Sequence, residues 1–362
     1  MTLLERMNRR ALELGVPLSV QLDLTYRCNE RCVHCYLDHD DHGEMTTAEI
    51  RGVLRQLADA GVFFLTLSGG EVLVRRDFFE IVEYGRSLLF NLKVKTNGVL
   101  ITEARAHRLA ELGVEDIQLS VYSHIAAVHD AITKLPGSFA RTVNAVALLQ
   151  SAGIKVTIAN ILMRQNVADH DGVRRLAEEM GVHYTVDPTI TPMMDGDRSI
   201  LQHRISGDEL SEIFRNADLV GNVEEFCAPP LPVDDDIRDG LPCSAGHTAC
   251  YISPYGDVFP CVQFPLPCGN VKRERFTDIW QNSAQLQEVR SIHGRDLTTC
   301  SSCTHLGSCT RCPGLAYLEG NMRGPSTADC EKSFGRTGIP SAQMLRNASP
   351  RNPSPSLVQI QI

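Results

Sequence analysis

Short apolar runs rich in β-branched residues alternate with stretches of helical periodicity through the first half of the chain. Six of these runs read as strands: residues 18–24 (LSVQLDL), 62–67 (VFFLTL), 91–96 (NLKVKT), 116–122 (DIQLSVY), 154–161 (IKVTIANI) and 182–187 (VHYTVD). Between the first two, apolar residues recur at helical spacing after Thr46, with Glu49 three residues on as a capping box and Gly61 as the stop. Comparable helices are predicted over 76–89, 103–112, 138–152 and 168–180. Strands that alternate with helices form a parallel sheet covered on its faces, and six regular βα units predict an α/β fold, a partial (β/α)6 TIM-type barrel over 17–200. Such a barrel has an open side and presents its chemistry at the C-terminal ends of the strands.

The pattern changes after Pro192. Residues 1–16 read as an N-terminal helix, and 201–242 as a connector whose end, CAPPLPVDDDIRDGLPC, is rich in proline and acid. Residues 243–332 hold nine cysteines and little periodicity, so this part is expected to fold around metal instead of an ordinary apolar core. The polar, proline-rich stretch 333–362 reads as a mobile tail. With 35 Lys plus Arg against 44 Asp plus Glu in 362 residues, the net charge of -9 argues against a nucleic-acid or anionic-membrane binder. No stretch is apolar and long enough to span a bilayer, and the N-terminus lacks a signal-peptide pattern, so the chain is expected to be cytoplasmic. In that reducing compartment thirteen cysteines point to metal before disulfides.

Cys28, Cys32 and Cys35 form CxxxCxxC after the first strand. Three close thiolates with no fourth nearby suit an iron-sulfur cube with one iron left open, or a zinc loop completed by His34 or a distant histidine. Downstream, Cys300, Cys303, Cys309 and Cys312 are spaced as two CxxC pairs, which by themselves also fit a zinc ribbon.

The cysteine triad followed by Tyr36, at the end of the first strand of a βα repeat, resembles the radical S-adenosylmethionine (radical SAM) superfamily. Ser68, Gly69, Gly70 and Glu71 after the second strand resemble that family's GGE motif, and Lys95-Thr96-Asn97-Gly98 after the third resembles its TNG segment. The resemblance implies that GGE binds the amino group of S-adenosylmethionine (SAM), with Glu71 supporting it, and that Ser120 and Asn160 meet its ribose or carboxylate. The segment from Gln118 departs from the family at Tyr122-Ser123 and at Thr133-Lys134, where Asp-Gly and Arg-Gly are usual. The chemistry that the resemblance implies is reductive cleavage of SAM to a 5'-deoxyadenosyl radical that removes a hydrogen atom from substrate.

Cys243, Gly256 and Cys261, then the Cys300–Cys312 run, then Cys330, resemble the SPASM extension of these enzymes, with two residues instead of the usual three between Cys309 and Cys312. With Cys250 added, eight ligands imply two further cubes: Cys243, Cys250, Cys261 and Cys312 nearer the barrel, and Cys300, Cys303, Cys309 and Cys330 farther away. The total is three [4Fe-4S] clusters. Cys227 and Cys268 stay unassigned and read as small buried apolar residues. Asp187 could face substrate or close a turn, and Met193 and Met194 read as packing.

The resemblance implies modification of a ribosomally made precursor peptide, with an external flavodoxin or ferredoxin as electron donor. Because only 16 residues precede the first strand, peptide recognition is expected from a separate partner. The alternatives are maturation of a protein of sulfatase type or of a tetrapyrrole side chain, and, from another class, a non-enzymatic iron-sulfur electron carrier.

Overall fold

A computed structural model of the chain describes residues 2–348. The six expected strands are present as β1 (Ser19–Thr25), β2 (Phe64–Gly69), β3 (Asn91–Thr96), β4 (Asp116–Ser120), β5 (Lys155–Ile161) and β6 (His183–Asp187), each parallel to the next. Helices Thr47–Asp59, Phe78–Ser87, Glu103–Glu111, Ser138–Ser151 and His170–Glu179 connect them, and together they form the partial barrel. The first starts as predicted: Thr46 Oγ1 accepts from Glu49 N at 3.3 Å, and Glu49 Oε2 from Thr46 N at 2.8 Å. Period-two alternation sorts the two faces. Val20, Leu22, Leu65, Leu67, Leu92 and Val94 point outward into the core shared with the helices, whereas Gln21, Lys95 and Gln118 point inward to one cavity.

A helix that periodicity did not predict spans Ala126–Thr133. Its eight residues are too few to show an amphipathic repeat, yet its last carbonyls position the cysteine loop.

The larger departure lies in the cysteine-rich part, residues 243–332. Expected to lack an ordinary core, it instead extends the barrel sheet through β7 (Ala249–Ile252), β8 (Asp257–Phe259) and β9 (Gly269–Asn270), in the order β6-β5-β4-β3-β2-β1-β7-β8-β9. β7 lies parallel to β1, and β8 and β9 follow antiparallel. Cys250, Ile252, Val258, Phe276, Ile279, Trp280 and Leu286 are buried in the same apolar cluster as Val20 and Leu22. Trp280 also donates through Nε1 to Gly15 O at 2.7 Å, fastening the N-terminal helix Leu3–Leu14.

The 201–242 segment is more ordered than a connector. It carries short helices over Gly207–Phe214, Ala217–Val220, Val223–Phe226 and Asp235–Asp239. Nor is the chain a mobile tail from 333: helix Thr327–Thr337 continues past that point, Ser333 and Ser341 are buried, and Ala342–Ala348 is helical. Arg215 Nη1 donates to Gly335 O at 3.3 Å, so the two segments hold each other. The expectation for 349–362 lies outside the described residues.

Candidate functional site

The loop after β1 carries Cys28, Cys32 and Cys35, and neighbouring elements hold its backbone. Arg31 N donates to Thr133 O and Val33 N to Ile132 O, both at 3.0 Å, so the end of helix Ala126–Thr133 clamps the middle of the loop. Its base is tied by Glu44, whose Oε1 accepts from Thr25 Oγ1 at 2.6 Å and Tyr26 N at 2.8 Å. Desolvation pushes the Cys28 thiol up to about 12 and raises Cys32 and Cys35 as well. Positive charge beside the sulfurs, such as a bound metal supplies, would offset this desolvation and favour the thiolate. The sulfur of Cys28 already faces donors, Glu30 N at 3.4 Å and Asn97 Nδ2 at 3.8 Å, as suits a cluster-bound thiolate.

The three cysteines line a cavity of about 330 Å³ at the C-terminal ends of the parallel strands. Tyr36, Ser68, Gly69, Gly70, Asn97 and Ser120 line it too, so most of the residues assigned to SAM share one space with the triad. The two glycines serve a close approach, though to the protein's own backbone. A Cβ on Gly69 would sit 2.1 Å from Thr25 O, and one on Gly70 2.5 Å from both Tyr26 O and Arg27 O. Gly70 N instead donates to Thr25 O at 2.8 Å, locking the end of β2 to the start of the cysteine loop.

Glu71 and Asn160 do not line the cavity. Glu71 is fully buried and accepts from Leu73 N at 3.0 Å, Thr96 Oγ1 at 2.8 Å and Asn97 N at 2.8 Å. It therefore pins the Thr96-Asn97 turn, whose Asn97 Nδ2 reaches Asn29 Oδ1 at 2.8 Å beside Cys28. Asn160 is likewise occupied, donating to Tyr184 Oη and accepting from Asn166 Nδ2, each at 3.3 Å. Asp187 lines the cavity and also closes a turn, its Oδ1 accepting from Thr189 N at 2.8 Å. Met194 packs, with Sδ 3.1 Å from Tyr26 Oη. In the segment that departs from the family pattern, His129 Nδ1 accepts from Tyr122 N at 3.2 Å. Asp130 Oδ1 caps helix Ser138–Ser151 by accepting from Phe139 N at 2.9 Å.

Sequence reasoning passed over Glu30 and assigned no role to Lys95. Glu30 lies between the cysteines and lines the cavity, its Oε1 is buried without a partner, and desolvation raises its carboxyl to about 7. Its position inside CxxxCxxC was the available signal. Lys95, inward on β3, donates to Gln21 Oε1 at 3.1 Å and brings a cation to the same space. His34 also lines the cavity, with its ring edge-on to Tyr122 at 4.8 Å.

The remaining cysteines separate into groups. Cys300, Cys303, Cys309 and Cys330 line a second cavity of about 260 Å³, whereas Cys312 does not. Cys312 turns toward Gln263, with Sγ 4.0 Å from Oε1, and is close enough to Cys261 for their charges to interact, as Cys261 is to Cys243. The contiguous quartet of a zinc ribbon is thus split. Among the described residues no group of three His, Cys, Asp or Glu side chains is gathered tightly enough for a single metal ion. Backbone N–H groups face several of these sulfurs, as at Ala245 to Cys243 (3.4 Å), Leu315 to Cys312 (3.5 Å) and Ala342 to Cys303 (3.5 Å). Thiols faced by N–H donors in this way fit iron-sulfur clusters. Cys250 and Cys268 are buried in the apolar core, and Cys227 donates to Phe214 O at 3.3 Å.

The family model of the radical SAM superfamily matches residues 22–177, and that of SPASM, an iron-sulfur cluster-binding domain, matches 243–313. The chain is 31% identical over 308 residues to the mycofactocin maturase MftC of Mycobacterium tuberculosis, covering 82% of this chain and 78% of that protein. This chain belongs to the radical SAM superfamily. As a radical SAM enzyme with a SPASM domain, it uses SAM and iron-sulfur clusters. It is 28% identical over 329 residues to the AdoMet-dependent heme synthase of Methanosarcina barkeri, covering 84% of this chain and 93% of that one. Among solved structures, Streptococcus suis SuiB bound to S-adenosylmethionine shares the fold with a TM-score of 0.72 at 18% identity, over 90% of this chain and 80% of that one. No described helix of this radical SAM enzyme is long and apolar enough to cross a membrane.

Proposed function

We propose that this enzyme modifies a ribosomally made peptide, with Cys28, Cys32 and Cys35 holding the SAM-cleaving cluster and the SPASM cysteines holding two auxiliary clusters. One observation carries the reading. The cavity is lined both by the cysteine triad and by Val262-Gln263, next to Cys261, so a substrate there borders both cysteine-bearing regions. The resemblance to a mycofactocin maturase supports a peptide as the substrate.

When bound, the cluster and SAM supply a 5'-deoxyadenosyl radical able to take hydrogen from an unactivated carbon. The chain's own residues provide geometry. Backbone groups of Gly69 and Gly70 border the place for the amino end of SAM, Ser120 offers a hydroxyl for the ribose or carboxylate, and Glu71 acts at one remove by fixing the Asn97 turn. Apolar walls at Tyr36, Ile161 and Ile190 exclude water that would quench a radical. Under the same reading the enzyme works in the reducing cytosol, draws electrons from a flavodoxin or ferredoxin, and receives its peptide through a separate recognition partner.

The test is anaerobic incubation of reconstituted enzyme with SAM, reduced flavodoxin and either any short peptide found encoded beside it or a tetrapyrrole, with and without any small adjacent partner protein. We expect 5'-deoxyadenosine and a fixed mass change in the peptide. An unchanged peptide, with turnover of a tetrapyrrole instead, would transfer the assignment to the heme-synthase side of the family.

A further inference from the structure

Strand alternation separates Cys250 from the thiols it was expected to join. β7 pairs in parallel with β1, placing Cys250 beside Val20, Tyr251 beside Gln21 and Ile252 beside Leu22. Paired residues of a parallel ladder project to the same face, and successive residues to opposite faces. Tyr251 projects inward, because its hydroxyl meets Asp23 Oδ2 at 3.0 Å and Tyr26 Oη at 2.7 Å, and its partner Gln21 lines the cavity. Cys250, 4% exposed, must then project outward, and it is buried in the apolar cluster with Val20, Phe276, Ile279 and Trp280.

Cys261 lies on the inward side. Tyr251 pairs with Phe259 across the β7–β8 hairpin, their rings stacked at 5.7 Å, while Val258 turns into the outer core. Cys261, two residues beyond Phe259, is close enough to Lys95 and Tyr36, both cavity-lining, for their charges to interact. Cys250 shares the outer apolar cluster with Cys268, whose thiol donates to Leu266 O at 3.2 Å. For Cys250 to join Cys243, Cys261 and Cys312, its sulfur would have to cross the sheet.

We propose that the auxiliary cluster nearer the cavity is held by Cys243, Cys261 and Cys312 alone, leaving its fourth ligand position open to an anionic donor atom presented through the cavity. The inference rests on the reading that a cluster occupies this site. The direction of the opening is set by Val262 and Gln263, which lie next to Cys261 and Cys312 and form the cavity wall. A neutral amide there is a weak competitor for iron, and Lys95 nearby favours an incoming thiolate or carboxylate.

The experiment uses full-length protein with Cys28, Cys32 and Cys35 all changed to Ala, which removes the other open cluster. Reconstituted anaerobically, this background should hold about eight iron and eight sulfide, and show two cluster signals by electron paramagnetic resonance after reduction. Adding Cys250→Ala, or the bulkier Cys250→Val to keep the core filled, should leave iron unchanged. Cys261→Ala should remove about four iron. Cyanide, the probe anion, should shift one of the two signals in the background and in both Cys250 variants. Loss of about four iron from both Cys250 variants with unchanged circular dichroism would overturn the proposal, as would two signals indifferent to cyanide. A background that never exceeds about four iron would sink the two-cluster reading itself, a separate and recognisable failure.

Discussion

Glu71 offers the sharpest test of how the SAM region is built. Its two oxygens serve different donors: Oε1 faces Leu73 N at 3.0 Å, Oε2 faces Asn97 N at 2.8 Å, and Thr96 Oγ1 lies 2.8 Å from each. In Glu71→Gln one oxygen becomes an NH2 group, so whichever way the amide settles, one buried backbone N–H confronts a donor. An unpaired buried group costs about 1–3 kcal/mol, and in Glu71→Ala both N–H groups are orphaned, for about 2–6 kcal/mol. When the Asn97 side is the one lost, about 2 kcal/mol falls on the turn that borders the cavity, worth roughly thirtyfold in SAM dissociation constant. Equilibrium dialysis with labelled SAM, beside iron counting and chemical unfolding, measures both effects. The expected outcome for Glu71→Gln is lower stability, weaker SAM binding and full iron. Stability and affinity within twofold of the parent would refute the argument that Glu71 acts by holding this turn.

Gly70→Ala should be more severe, because its Cβ would lie 2.5 Å from two backbone oxygens that cannot swing away. We expect the cysteine loop to be displaced and about a third of the iron lost, read from the absorbance near 410 nm; normal iron content would contradict the packing argument. Asp23 is fully buried, and desolvation raises its carboxyl from 3.8 to about 6, partly offset by hydrogen bonds from Gln21 and Tyr251. A raised acid favours the protonated fold, so its ionisation penalty is absent below about pH 4, builds toward pH 6 and is constant above, at about 3 kcal/mol. Asp23→Asn should therefore raise the melting temperature more at pH 8 than at pH 5, and an equal gain at both would count against the assignment. Asp130→Ala should cost about 1 kcal/mol through loss of the cap on helix Ser138–Ser151, without changing the iron bound; iron loss would mean that the cap also holds the cluster loop.

The barrel was legible because its strands carry a local signature: inward polar and outward apolar residues alternate, as in Lys93-Val94-Lys95. Cysteine spacing likewise pointed to grouped thiols, and the structure gathers Cys300, Cys303, Cys309 and Cys330 around one cavity while Cys312 lies outside it. What stayed hidden depends on pairing between distant segments. The run Ala249–Ile252 is four residues long and becomes a strand through its contact with β1, so no window of sequence reveals it. The side on which Cys250 projects is settled by that same register, invisible until the partner is known. The motif around Glu71 names the residue and not its direction, so it suggests a ligand contact, whereas Leu73, Thr96 and Asn97 draw the side chain inward. The helix of Ala126–Thr133 escapes notice because two turns carry too little periodicity to register.

The pairing of Ser19 with Ala249 has a consequence for the order in which the protein can be made. The strand that leads into the SAM-cluster cysteines is synthesised more than two hundred residues before β7, one of its two neighbours. Until that neighbour arrives, β1 is an unsatisfied edge, open to pairing with another chain and unable to complete the wall behind its own loop. Iron delivered during synthesis would meet a half-built holder. Cluster loading is therefore expected only once β7 has been made, and a truncation before residue 249 should yield aggregate in place of a smaller working enzyme.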